Sequence, residues 1–212
     1  MRDFPVFPSK YGVASLTLKE IPYKQEAYIR LQDTDSPEAL LKECLDFCVL
    51  AGATKVYATG HRWLERYPVH TCIWKMRCLR RDLPKSDGEL VLLDDRNLER
   101  WRRIYNEGMD GVFNAATMTH QEAKRICDAG QGYFVYRNGM LIGIGVAFGE
   151  CVEAVISVTP GAGKDVFVSL CDALSGEWVF VEVSSQNQRG LKLYKKLDFT
   201  YCEEVSRWYK IK

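Results

Sequence analysis

The segment from Trp178 to Phe199 constrains the fold more than any other part of the sequence. Apolar residues run through Trp178–Val183 as in a strand, and a helix is predicted shortly afterwards, over 188–197. Asn187 stands directly before that helix, where its side chain can cap the first turn. The segment therefore predicts a strand followed closely by a capped helix.

The rest of the second half predicts further strands and helices. Asn138-Gly139 between two apolar runs is the strongest short signal for a β-hairpin. Thr119 and Glu122 form a capping box, which predicts the start of a short helix. The expected elements are a helix over 94–107, a short helix ending at 130, strands over 132–137, 141–148 and 151–158, a helix containing 167–174, the strand and helix already described, and a strand over 201–211.

The first half predicts a smaller set of elements. Ser36 and Pro37 begin a helix with one apolar face, and Gly52 ends it. Strands are predicted over 13–20, 26–31, 55–59 and 70–79. The Pro, Ser, Asp and Gly of residues 84–88 predict a linker between domains 1–83 and 89–212.

The two halves share a weak sequence repeat. Each contains a strand with the pattern Glu-Ala-x-Ile, a helix that includes a cysteine, and a second apolar strand. The matched segments are 26–29, the helix with Cys44 and 55–57 in the first half, and 153–156, the helix with Cys171 and 179–181 in the second. The first half is then a partial copy of the second, although a chance parallel between two strand–helix–strand units stays open.

Residues 181–199 resemble the C-terminal motif of the GNAT family of N-acetyltransferases, a strand followed by Asn-x-x-small-x-x-Leu-Tyr-x-x-x-Gly-Phe. The matching residues are Asn187, Gly190, Leu193, Tyr194, Leu197 and Phe199, and Asp198 stands where the family usually has glycine. The order of elements over 94–212 also fits that fold. The resemblance implies an α/β (α+β) fold, with a mixed central sheet flanked by helices and a smaller α/β half-repeat at the N-terminus.

The resemblance also implies a binding site for acetyl-CoA. Parallel strands that splay apart leave unpaired backbone groups, which the amides of a pantetheine arm can satisfy. The diphosphate would lie on backbone N–H groups at a helix N-terminus, where the dipole favours anions. The residues expected to bind the cofactor are Val155, Ile156, Ser157 and Val158 on the strand, Gly161, Ala162, Gly163 and Lys164 in the turn, and Asn187 and Tyr194 on the last helix.

The glycine-rich turn departs from the family pattern Gln/Arg-x-x-Gly-x-Gly/Ala. Aligned backwards from Leu174, the three pattern positions are held by Ala162, Asp165 and Phe167. Asp165 suits the helix dipole, but it repels a diphosphate unless Lys164 compensates. A turn that only caps a core helix is the alternative interpretation.

The resemblance assigns the general acid to Tyr194, which would donate a proton to the thiolate of coenzyme A. Packing of Tyr194 beside Leu191 and Phe199 is the alternative. Glu153, on the strand before the glycine-rich turn, is the expected general base, and Glu150 is the neighbouring alternative. His120 is expected to be an exposed residue at a helix start.

The expected function is acetyl transfer from acetyl-CoA to an amine of a small molecule or peptide. The alternative is a GNAT-like module that has lost catalysis and binds a ligand or partner. We expect a monomer, with the first half packed as an intramolecular pseudo-dimer, or a homodimer.

Composition excludes several other classes of protein. A net charge of +1 without a basic half does not imply nucleic acid. No apolar run reaches the roughly 18 residues of a membrane helix, and the N-terminus is unlike a signal peptide, so we expect no membrane partner and a cytoplasmic location. A zinc site from His61, His70, Cys72 and Cys78 matches no known spacing, so no metal is expected.

Overall fold

A computed structural model describes residues 5–212 and divides into two compact units. The first contains the residues up to Ile73 together with Glu204–Lys212, and the second is Trp74–Glu203. The division differs from the expected one, because the end of the chain returns to the first unit. Residues 84–88, the expected linker, lie within the second unit.

Six α-helices and eleven strands make up the described residues. The helices are α1 (Ile21–Lys24), α2 (Pro37–Leu50), α3 (Leu98–Met109), α4 (His120–Asp128), α5 (Gly163–Cys171) and α6 (Gln188–Lys196), with short 3-10 helices at Arg62–Arg66 and Arg80–Asp82. The strands are β1 (Val6–Ser9), β2 (Gly12–Thr17), β3 (Glu26–Asp33), β4 (Lys55–Thr59), β5 (Val69–Leu79), β6 (Glu89–Leu92), β7 (Gly132–Arg137), β8 (Met140–Phe148), β9 (Cys151–Ser157), β10 (Trp178–Ser184) and β11 (Thr200–Lys210). Strands β5 and β11 belong partly to each unit.

The first unit is a mixed sheet with strand order β1-β2-β3-β4-β11-β5. Strands β3 and β4 are parallel and paired through five register positions, from Glu26 with Lys55 to Arg30 with Thr59. Pro37 stands in the first turn of α2, where its fixed φ suits a helix. The buried face of α2 includes Cys44 and packs on the apolar side of this sheet.

The second unit is a mixed sheet with strand order β6-β7-β8-β9-β10-β5-β11 and helices on both faces. Phe134 packs in one apolar cluster with α3 and α4, while its neighbour Val135 packs in another with α5 and α6. Adjacent strand residues face opposite sides of a sheet, so the two helix pairs cover opposite faces. This mixed sheet flanked by helices confirms the expected fold class.

The local signals of the second half are confirmed by the structure. Asn138 and Gly139 adopt φ angles of 51° and 74°, as a tight hairpin turn requires, and connect β7 to β8. Both hydrogen bonds of the capping box between Thr119 and Glu122 open α4. The short edge strands β1 and β6 lie outside the predicted elements.

Two glycines of β8 allow α5 to pack closely on the sheet. A Cβ at Gly143 would lie 2.5 Å from the Val166 side chain, and one at Gly145 would lie 2.2 Å from the Leu170 side chain. The same two Cβ atoms would approach carbonyl oxygens of β9 to 2.4 and 2.6 Å. The absence of side chains at these positions therefore fixes how near α5 lies to β8 and β9.

The eight cysteines are free thiols. Cys44, Cys48, Cys78 and Cys171 are buried, whereas the other four are partly exposed. Among the described residues, no helix is both long and apolar enough to cross a membrane.

We expect Gly145→Ala to lower the free energy of unfolding by about 1–3 kcal/mol, because the added methyl group overpacks the contact with Leu170 and the backbone of β9. Gly163→Ala is the matched control: a Cβ there meets nothing within 4 Å, and alanine favours a helix over glycine. Urea unfolding of both variants measures the difference. Equal stability of the two variants would contradict the close packing of α5.

Candidate functional site

Strands β9 and β10 are parallel but separate almost at once. Within residues 5–212 they share one register pair, Cys151 with Phe180, and the Phe180 N–H donates to the Glu150 carbonyl at 2.8 Å. Beyond Cys151, β9 remains paired with β8 on its other side as far as Ser157. The two parallel strands therefore enclose a wedge that opens toward their C-terminal ends.

A β-bulge in β9 accompanies this separation. Val146 of β8 pairs with Ala154, and the next residue, Ala147, pairs with Val152, so that β9 has Glu153 as one extra residue. A bulge bends its own strand and increases the local twist. The bend lies directly after the last pair with β10, which is where the wedge begins.

The direction of the β9 backbone follows from its bonds to β8. The Val158 N–H donates to the Ile142 carbonyl at 3.0 Å, so the backbone of every second residue, including Ile156, faces β8. The backbone N–H and C=O groups of Val155 and Ser157 consequently face the wedge. Of the four predicted strand residues, these two direct backbone groups to the proposed pantetheine path.

The turn after β9 leads directly into the first turn of α5. Gly161 has a φ of 82°, and a Cβ at Gly161 or Gly163 would meet nothing within 4 Å, so the turn is open. Ala162, the residue before the helix, is buried and provides no side-chain cap. The first N–H groups of α5 thus have no side-chain cap at Ala162, as a site for an anion requires.

Asp165 forms an ion pair that sequence reasoning missed. Its partner is Arg137, the last residue of β7, and both side chains are about two-fifths exposed, at 42% and 40%. The hairpin turn that follows Arg137 lies at the same end of the sheet as the start of α5. The negative charge of Asp165, which Lys164 was expected to offset, is therefore offset by Arg137. The sequence signal for this pair is the position of Arg137 directly before the Asn-Gly turn.

Asn187 caps α6, which was one of the two predicted roles for it. Its Oδ1 accepts a hydrogen bond from the Gly190 N–H at 2.9 Å. A Cβ at Gly190 would lie 3.0 Å from the Asn187 amide. The cap therefore favours a small residue at position 190, three residues after Asn187. At the other end of the helix, Asp198 adopts a φ of 58°, so it occupies the left-handed position that the family motif usually gives to glycine.

Tyr194 packs among aromatic rings on the inner side of α6. The Tyr194 ring centroid lies 5.3 Å from that of Phe167 and 5.5 Å from that of Phe199. Burial, and to a smaller extent the nearby Cys171 thiol, raises the pKa of Tyr194 above its ordinary value. The phenol is therefore protonated at neutral pH and can act as a donor.

The two candidate bases lie in different surroundings. Glu153 is exposed at the bulge, beside the narrow end of the wedge where β9 and β10 begin to separate. The Glu150 side chain instead lies over Gly176, where an added Cβ would approach its Oε1 to 2.4 Å. Burial raises the pKa of the Cys151 thiol, with smaller effects from Lys75, Glu153 and Glu182, so charged groups surround the start of the wedge.

Two other candidates lie away from the wedge. His120 is exposed, and its Nδ1 lies 2.6 Å from a Glu99 carboxylate oxygen. Within residues 5–212, one group of three ligand-type side chains comes together, formed by Asp95, Cys127 and Asp128. Lys124 forms an ion pair with both aspartates, so this exposed cluster already has a cation.

Comparison with known proteins gives a result at the level of structure. No protein-family model matches the sequence, and no curated protein matches it significantly. A GCN5-related N-acetyltransferase from Sphaerobacter thermophilus is similar in structure with a TM-score of 0.55 and 10% identity, over 94% of this chain and 76% of the other. A GNAT-family acetyltransferase from Colwellia psychrerythraea gives 0.53 and 12%, over 98% and 84%.

A tandem GNAT protein from the clavulanic acid biosynthesis pathway is similar over 97% of this chain and 80% of its own, with a TM-score of 0.53 and 12% identity. These similarities cover both units, whereas the sequence motif lies in the second unit alone. Identities near 10% establish shared architecture and leave the chemistry to be argued from the site. The chain has the fold of the GNAT acetyltransferases.

Proposed function

We propose that the protein transfers an acetyl group from acetyl-CoA to an amine, using the second unit as its catalytic unit. The observation that carries this proposal is the divergence of β9 and β10 after a single register pair. In the first unit the corresponding parallel strands, β3 and β4, stay paired through five positions. Of these two parallel pairs, which both lie within residues 5–212, the one in the second unit leaves backbone groups open along β9.

The pantetheine arm would occupy the wedge and extend β9 by hydrogen bonding. Its two amides alternate donor and acceptor groups, which match the N–H and C=O groups of Val155 and Ser157. Val155 is partly buried against the apolar cluster of α5 and α6, which provides an apolar side for the arm. The arm would reach the open turn at Gly161–Gly163, where the helix start favours the diphosphate.

The reaction itself requires two proton transfers. The amine nitrogen attacks the thioester carbonyl carbon, a C–N bond forms, and the C–S bond then breaks with the electron pair leaving on sulfur. The nitrogen must lose a proton and the thiolate must gain one. Holding the two reactants together in the wedge contributes the remaining rate acceleration.

Tyr194 is the proposed general acid for the departing sulfur. Since its pKa is raised by burial, the phenol begins the reaction protonated. An unperturbed thiol has a pKa near 8.5, below that of the buried phenol, so a hydrogen bond to the developing negative charge comes before any transfer of the proton. The aromatic contacts with Phe167 and Phe199 hold the ring in place for that bond.

Glu153 is the proposed general base. Its position at the bulge places its carboxylate at the narrow end of the wedge, where β9 and β10 begin to separate, and on an exposed surface that an amine can reach. A carboxylate there can attract a protonated amine and accept its proton directly or through water. We propose that the acceptor approaches over this bulge.

Calorimetric titration with acetyl-CoA tests the proposal. We expect one binding site per chain, because the paired strands of the first unit leave no equivalent wedge. Acetyl-CoA at 100 times its dissociation constant should also add about 2.7 kcal/mol to the free energy of unfolding. Two equivalent sites would refute the assignment to the second unit, and absence of binding would refute the proposed function.

A backbone variant tests the wedge itself. Ser157→Pro removes the N–H that faces the wedge and leaves the bonds from β9 to β8 intact. We expect it to weaken acetyl-CoA binding roughly threefold to tenfold, the value of one hydrogen bond. Ser157→Ala is the control, since it keeps the N–H, and equal losses in both variants would show that the side chain is responsible.

Tyr194→Phe tests the general acid, because it removes the hydroxyl and retains the ring. We expect the maximal rate of acetyl transfer to fall about 100-fold to 10,000-fold, with little change in acetyl-CoA affinity. Tyr201→Phe, which removes an exposed hydroxyl, is the matched control and should keep its rate. Hydrolysis of acetyl-CoA serves as the assay until an acceptor amine is identified. An undiminished rate in Tyr194→Phe would remove Tyr194 from the mechanism.

A further inference from the structure

A cavity of about 90 Å³ lies beside the first turn of α5, in the second unit. Three segments line it: residues 84–88, the end of β7 at Arg137, and the α5 residues Lys164, Asp165 and Val168. A single water needs only about 15 Å³ of such a space, so the cavity has room for a tetrahedral phosphate group. Of the lining residues, the sequence predicts a cofactor contact for Lys164 alone, and it predicts no ligand for residues 84–88 or Arg137.

The position of the cavity follows from the topology of the sheet. Glu89, the first residue of β6, pairs with Tyr136 near the end of β7, and the pairing of β8 with β9 brings the β7–β8 turn to the end of β9. Segment 84–88 precedes β6, and α5 follows β9. All of these segments therefore meet at one edge of the sheet, the edge toward which the wedge between β9 and β10 opens.

A short chain of hydrogen bonds fixes segment 84–88 against α5. The Ser86 hydroxyl lies 2.5 Å from the Ser169 hydroxyl, which in turn donates to the Asp165 carbonyl at 2.7 Å. The Gly88 N–H donates to the Ser86 hydroxyl at 2.9 Å. A Cβ at Gly88 would lie 2.0 Å from the Ser169 oxygen, so only glycine allows this approach. The cavity wall that carries Lys85 is thus anchored to the helix.

The charges around the cavity favour an anion. Lys85, Arg137 and Lys164 supply three positive charges, and Asp87 and Asp165 supply two negative ones. Asp165 is paired with Arg137, while no ion pair within residues 5–212 holds Lys85 or Lys164. The positive end of the α5 dipole also favours an anion at this position. With Arg137 and Asp165 paired, Lys85 and Lys164 outweigh Asp87 by one positive charge, and both lysines are available to an anion.

We propose that this cavity binds the 3′-phosphate of coenzyme A, an inference that rests on the proposed function. With the diphosphate at the first turn of α5, the ribose continues past the helix start, and its phosphate monoester is the next group with two negative charges. Lys85 lines the cavity from segment 84–88, which contains none of the residues assigned to the pantetheine arm or the diphosphate. Lys85 then discriminates coenzyme A from its 3′-dephospho form.

Titration of the full-length protein with coenzyme A and with 3′-dephospho-coenzyme A tests this proposal. We expect the wild type to bind coenzyme A roughly threefold to tenfold more tightly, as one or two solvent-open ion pairs provide. In Lys85→Ala the preference should fall close to one, through weaker binding of coenzyme A alone. Arg81→Ala is the matched control, because it removes an exposed positive charge from the same stretch outside the cavity and should keep the preference.

The outcomes separate this inference from the proposed function. Equal binding of the two cofactors by the wild type, or an unchanged preference in Lys85→Ala, would overturn the inference while the acetyltransferase proposal stands. No binding of either cofactor would overturn both. Inorganic phosphate is the second probe: binding of phosphate that depends on Lys85, without any difference between the two cofactors, would identify a free-anion site and overturn the assignment to coenzyme A.

Discussion

The bulge at Glu153 is the constraint on which the rest of the second unit depends. Because β9 carries one residue more than β8 there, it bends while keeping its pairs with β8, and it leaves β10 after a single pair. Unpaired backbone groups are costly when buried, so a strand edge opened in this way needs water or a ligand. The glycines of β8 then let α5 close over β8 and β9, which puts the helix start at the open end of the wedge.

Charge at that end is arranged by residues far apart in the sequence. Asp165 alone would oppose an anionic ligand at the helix start, but Arg137 from the hairpin cancels it. Lys164 on the helix and Lys85 on the anchored segment, against Asp87, then leave one positive charge in excess for the proposed ligand. The Arg137–Asp165 ion pair is partly exposed and both lysines are exposed, so each ion pair here would contribute at most about 1 kcal/mol of binding or folding free energy. The proposed site would therefore need several such contacts together with the backbone of α5.

Local patterns in the sequence predicted most helices and strands. They did not predict the contacts between segments that are distant in the sequence. The Asn138-Gly139 turn and the capping box at Thr119 are short-range signals, and both are confirmed. A bulge leaves no such signal, because the extra residue is defined only against the partner strand. The Arg137–Asp165 ion pair and the return of β11 to the first unit likewise depend on topology that spacing alone does not specify.

The strand–helix–strand segments of the two units show why a repeated order of elements does not produce the same binding site twice. Each unit places a helix after a strand with the pattern Glu-Ala-x-Ile, and each continues into a parallel strand. Strand β3 pairs continuously with β4. The β3 backbone groups that correspond to the open groups of β9 are therefore hydrogen-bonded within the sheet. The first unit also has only the 3-10 helix Arg62–Arg66 after its second strand, where the second unit has α6. The same order of elements thus gives a parallel pair that stays bonded through five positions in the first unit and one that separates after a single position in the second. Strand β3 also has an extra residue, Gln32, against β2, but it lies beyond the last pair of β3 with β4, whereas the extra residue of β9 lies directly after its pair with β10. The position of the bulge along the strand, and not its presence, therefore accompanies the opening.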